Sequence, residues 1–131
     1  MSDFFCQFHC RGNEEYSVII EDNELVAYAY LYKGEIIVGD IWLYNQASTP
    51  VTSEWNKEDM PFLNPLEFVK NNIEPIKDKN EIALKWVLKK DKEVDYVLIK
   101  IRKELIAKLS EGATPGWSTC VIKDGPLAKV L

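Results

Sequence analysis

The opening third of the chain alternates between apolar and polar positions. In DFFCQFHC, Phe4, Cys6, Phe8 and Cys10 fall on one side of an extended segment. EYSVIIE follows the break RGN, and Asp22-Asn23 turns the chain into ELVAYAYLY. There Leu25, Ala27, Ala29 and Leu31 share one face, while Val26, Tyr28, Tyr30 and Tyr32 share the other. Lys33-Gly34 is a two-residue hairpin signal, because glycine accepts positive φ, and EIIVGDIWLY returns antiparallel. The pattern predicts a four-stranded meander.

Residues 45–64 lose the alternation and carry Pro50 and Pro61, so they read as a long loop. Asn64-Pro65 is a helix-start signal, and Leu66, Val69 and Ile73 suggest a short helix over about residues 65–73, stopped by Pro75. Strands resume in NEIALKWVLKK and VDYVLIKIR. Residues 104–109 fit a helical stripe ending at Gly112 or a strand turned by Arg102-Lys103; the β-branched run before them favours strand. STCVI, the turn KDG and PLAKVL read as a final hairpin, with Gly34 and Gly125 both expected at positive φ. The expected fold is a β-rich α+β domain spanning 1–131: a predominantly antiparallel twisted sheet, one short helix and one long loop.

Composition narrows the function. A length of 131 residues fits one domain, and 47% hydrophobic residues allow a real core. No apolar run approaches the ~20 residues of a membrane span. MSDFFCQFHC lacks the basic start of a secretory signal. Three cysteines are a sparse, odd set that fits reduced thiols, so a cytoplasmic protein is expected. Residues 1–74 hold 13 acids and 4 bases, and residues 75–131 hold 8 acids and 12 bases. The halves are expected to intermix in one domain. Basic residues alternate with acids in the second half, which disfavours nucleic acid.

Candidate chemistry is thin. On a strand, Cys6 and Cys10 share a face about 13 Å apart while His9 points away, so a zinc site is not expected and both thiols should enter the core. His9 is the sole histidine and has no nucleophile motif near it. No glycine-rich phosphate loop occurs, and no cofactor is expected. Asp40 is an acid inside an apolar strand, which requires a bulge, an exposed edge or a functional carboxylate. Tyr28, Tyr30 and Tyr32 on one strand, and Trp42 and Tyr44 on the next, predict an aromatic ladder. Trp55, Met60 and Phe62 in the loop predict a lid folded over it, rimmed by Glu54, Glu58 and Asp59. Trp55, Glu54, Glu58, Asp59, Asp40 and Tyr44 form the expected protein-binding surface.

Small size, acidity, an aromatic-rich sheet and the phrases GDIWLYN and PGWSTCVIKDGPLAKVL together resemble bacterial immunity proteins, which neutralise polymorphic or contact-dependent toxins. The resemblance is one of overall character and carries over no functional residue. It implies a non-enzymatic inhibitor that occludes a basic toxin domain with an acidic surface. Two other readings compete: a small-ligand or enzymatic site between loop 45–64 and the sheet, and a homo-oligomer such as a homodimer joined by the aromatic face.

Overall fold

The computed structural model of the chain describes residues 3–51 and 62–131. The meander forms as the alternation predicts. β1 (Phe4–His9), β2 (Tyr16–Asp22), β3 (Val26–Lys33) and β4 (Ile36–Asn45) pair antiparallel in sequence order. Gly34 closes the last hairpin at φ 64°, where a Cβ would be disfavoured.

The second sheet holds β5 (Ile82–Leu88), β6 (Val94–Ile101), β7 (Glu104–Leu109), β8 (Trp117–Ser118) and β9 (Lys129–Val130), in that order. Residues 104–109 are a strand. Arg102 and Lys103 both take positive φ, 51° and 72°, the signature of a tight primed hairpin turn without glycine. β8 and β9 pair parallel, so the expected terminal hairpin does not form. Gly125 lies outside the left-handed region and is needed for space instead: a Cβ there would meet the Phe68 ring at 2.7 Å.

The expected helix over 65–73 is absent. The Phe68 amide donates to Pro65 O in a single turn; then Lys70 and Asn71 both donate to Cys120 O, and Ile122 donates to Phe68 O. Val69 bridges Val121. The donors a helix would use are committed to the segment passing alongside. Among the described residues the helical element is the 3-10 turn Lys79–Glu81, closed by an Asp78 capping box.

The inner faces of the two sheets share one hydrophobic cluster, with Val18, Ile20, Leu31, Ile41, Val97, Ile99 and Leu109 among its fully buried members. The free edge of β4 meets the second sheet directly. Asp40 N–H donates to Ala113 O, Gly116 N–H to Asp40 O, and Trp42 N–H to Leu127 O. Glycine is required at Gly116, where a Cβ would lie 2.5 Å from Lys108 O. At one end, Lys33 Nζ sits 3.1 Å from Glu93, and the Tyr16 hydroxyl lies 2.8 Å from Glu111. Cys6, Cys10 and Cys120 are buried and free, and burial pushes the Cys6 thiol up to about 11. No helix among the described residues is long and apolar enough to cross a membrane.

The sequence halves meet through a shared core and through the ion pairs Lys33–Glu93 and Glu67–Lys123, but each supplies its own sheet. The first sheet uses residues 4–45 and the second residues 82–130, so the charge split along the chain becomes a split between sheets.

Candidate partner-binding face

Strand register defines the outer face of the first sheet as three rows. One runs Phe5, Glu21, Tyr28, Trp42; the next Gln7, Ile19, Tyr30, Asp40; the third His9, Ser17, Tyr32, Ile37. The rows hold two carboxylates and neither lysine nor arginine. Three tyrosines descend the middle of the face along β3.

Two irregularities in β4 shape this surface. Leu43 is an extra residue between the pairs Ala27↔Tyr44 and Tyr28↔Trp42, and Val38 is extra between Leu31↔Gly39 and Tyr32↔Ile37. Trp42 and Tyr44 would share a face in a regular strand; the bulge at Leu43 sends them to opposite sides. Tyr44 therefore leaves the predicted ladder. It is fully buried, donates a 2.6 Å hydrogen bond to Asp22 Oδ2 and accepts one from Ile76 N–H. Its ring is not presented to a partner. Burial, and next the Asp22 contact, push its hydroxyl pKa upward.

Asp40 stays on the outer face, opposite Tyr30. Its carboxylate is half-buried, and among the described residues it has neither a hydrogen bond nor an ion pair. Desolvation raises its pKa. The rings of Tyr28 and Tyr30 stack with centroids 6.0 Å apart and planes 13° apart. Burial pushes Tyr30 up to about 12, with Glu21 and Asp40 adding to the rise. Tyr28 is raised further for the same first reason, and its hydroxyl donates to Phe62 O at 2.9 Å. The chemistry offered is a partly desolvated carboxyl group beside π surfaces and phenolic hydroxyls.

Asn45 organises the edge of the face. Its Oδ1 accepts from Trp42 Nε1 and Asn64 N–H, each at 2.9 Å. Its Nδ2 donates to Asn64 O and Thr49 Oγ1, and its backbone pairs twice with the Asn72 side chain. Leu66 N–H then donates to Pro50 O at 2.8 Å, closing the base of the long loop. The loop's two ends are thus fixed next to Tyr28. Trp55, Glu54, Glu58 and Asp59 lie outside the described residues. Sequence reading missed Asn45; an asparagine ending an apolar strand, with Asn64 across the loop, was the available signal.

The outer face of the second sheet has the opposite character. Its longest row runs Lys85, Leu98, Lys108, Trp117, Lys129 across five strands. Beside it, Val87 faces Tyr96, and Ala83, Lys100 and Leu105 form the next row. Lys108 Nζ lies 4.6 Å from the Tyr96 ring centre and 5.3 Å from Trp117, and Lys129 Nζ lies 5.1 Å from Trp117.

No protein family, curated protein or solved structure matches the chain, so the reading of its function rests on these faces alone.

Proposed function

We propose that the chain is a non-enzymatic binding protein that takes a basic protein partner on the outer face of its first sheet and the adjoining loop, in the manner implied by the resemblance to toxin-immunity proteins. One observation carries this reading: Asp40, a half-buried carboxylate with no counter-ion among the described residues, set beside the tyrosines of a face whose rows hold two carboxylates and no lysine or arginine. Such a group costs folding free energy for as long as it stays unpaired. A lysine or arginine from a partner would supply the missing charge, and Tyr30 and Tyr32 would pack its aliphatic stem and attract its head. Glu21 on the same face adds to the field that steers a basic protein inward. Trp55, Glu54, Glu58 and Asp59 belong to the same reading, carried by a loop whose base Asn45 fixes beside Tyr28.

The test is affinity capture from the cells the protein comes from, followed by identification and titration of the captured protein. The expected partner is basic. Asp40→Lys should weaken it about 100-fold and Tyr30→Ala about 10-fold, with association slowing as salt rises. Full affinity in both variants would overturn the assignment of this face.

A further inference from the structure

The lysines of the second half alternate with acids in sequence, yet the strands separate them in space. Asp91, Glu93, Glu111 and Asp124 fall in turns and connections, and Asp95 and Glu104 at the starts of β6 and β7, while Lys85, Lys100, Lys108 and Lys129 all project from one sheet face. Among the described residues none of these four has a carboxylate within salt-bridge distance; the ion pairs there engage Lys33, Arg102 and Lys123. Four unneutralised ammonium groups repel one another, and an anion laid across them relieves that repulsion.

From this face we infer a second binding activity, independent of the one proposed above: the outer face of the second sheet binds single-stranded nucleic acid without sequence preference. Charge alone would fit any polyanion. The order of groups selects among them. Along the row β7, β8, β9 the side chains read Lys108, Trp117, Lys129, with Tyr96 flanking Lys108. Charge and π surface alternate at one strand spacing, about 4.8 Å. A single strand offers the matching alternation of phosphate and base, whereas an acidic protein surface offers carboxylates and no stacking partner for the rings. The two rings now carry lysine ammonium groups; an arriving base displaces these from the ring, and they move to the flanking phosphates. The face holds lysine and no arginine, so it lacks the bidentate fork that reads guanine, and binding follows the backbone. The chain's net charge of −5 does not prevent this. The acidic face belongs to the other sheet, across the core, and the Debye length is about 10 Å at 0.1 M salt.

The test is fluorescence anisotropy of the full chain with labelled oligothymidylate and oligouridylate of about 20 nucleotides, long enough for one site. The expected Kd is on the order of 10⁻⁵ M at low salt, and log K should fall against log salt with a slope of about −2 to −3, for three or four phosphates. Similar affinity for both oligomers means readout of backbone and stacking; a preference for uridylate means added contact to the 2′-hydroxyl. Lys108→Glu with Lys129→Glu should weaken binding more than about tenfold, and Lys108→Arg with Lys129→Arg should restore it. Trp117→Leu, which keeps every charge, should cost about tenfold. Lys77→Glu with Lys123→Glu removes the same charge elsewhere and should change affinity less than about twofold by screening. Absence of binding at low salt would overturn the inference, as would equal loss in the two charge-reversed pairs. Competition by poly-L-glutamate as strong as by oligonucleotide at equal charge would also overturn it and assign the face to an acidic polypeptide.

Discussion

The two outer faces are built from the same material, antiparallel strands bearing aromatic residues, and they solve the problem of charge in opposite ways. On the first sheet the acid sits low: Asp40 is half-buried beside Tyr28 and Tyr30, and its pKa is raised because water is partly excluded. On the second sheet the bases stand high: Lys108 and Lys129 reach over Tyr96 and Trp117 with their heads on the ring faces. The difference follows from side-chain length. A lysine can lay its methylenes on an apolar surface and keep its charge in water, whereas an aspartate must take its charge wherever its Cβ points. An aspartate on an aromatic face therefore stores unfavourable desolvation, and a lysine on one does not.

The comparison can be broken most severely at the support of the acidic face. Asn45→Ala removes the acceptor of Trp42 Nε1 and Asn64 N–H and should destabilise by about 3 kcal/mol, since buried donors left unpaired cost roughly 1–3 kcal/mol each. Urea denaturation would measure it, and an unchanged midpoint would show that water replaces the amide. Next comes the joint between the sheets. Gly116→Ala places a methyl against Lys108 O and Leu109 and should cost about 2 kcal/mol by overpacking, again read from the denaturation midpoint.

Asp40→Asn sharpens the contrast with a smaller effect of opposite sign. The folded state raises this pKa, so it binds the proton more tightly than the unfolded chain does. Stability falls as pH rises from the ordinary aspartate range, near 3.9, through the raised folded value. The asparagine variant should lack that fall and melt higher than the parent at neutral pH; a lower melting point would mean that the carboxylate is paired. Smallest of all, Lys108→Gln should change stability by no more than about 0.5 kcal/mol, the worth of an exposed cation–π contact, as measured by thermal melting.

Much of the fold was legible because β1, β2 and β3 obey a period of two. Phe4, Cys6 and Phe8, then Ala29 and Leu31, point where alternation puts them, and Gly34 turns the chain as its flanks require. Sequence reading failed where a long-range partner overrode a local signal. Asn64-Pro65 is a sound helix start, but Cys120 O takes the amides of Lys70 and Asn71. Tyr44 was lost to a single extra residue, because a bulge at Leu43 leaves no mark in a strand that is apolar on both sides. The face around Asp40 was half legible: the tyrosines announced it, the bulges did not. The lysine face was written openly, as one lysine set among apolar neighbours in each of ALKWV, LIKI, IAKL and LAKV, and counting charges by halves concealed it.

The bond from Leu66 N–H to Pro50 O separates two kinds of inheritance. Everything outside it must agree with two sheets and a shared core. Inside it, Phe62, Leu63 and Asn64 still pack on the core and on Asn45, but the number of residues between Val51 and Phe62 can change at the modest cost of loop closure, about 0.6 kcal/mol per doubling. Insertions, deletions and wholesale replacement there leave the register of every strand untouched. A lineage could exchange that segment repeatedly while retaining its scaffold, which makes the closed base the point at which this architecture is most readily evolved and most readily grafted.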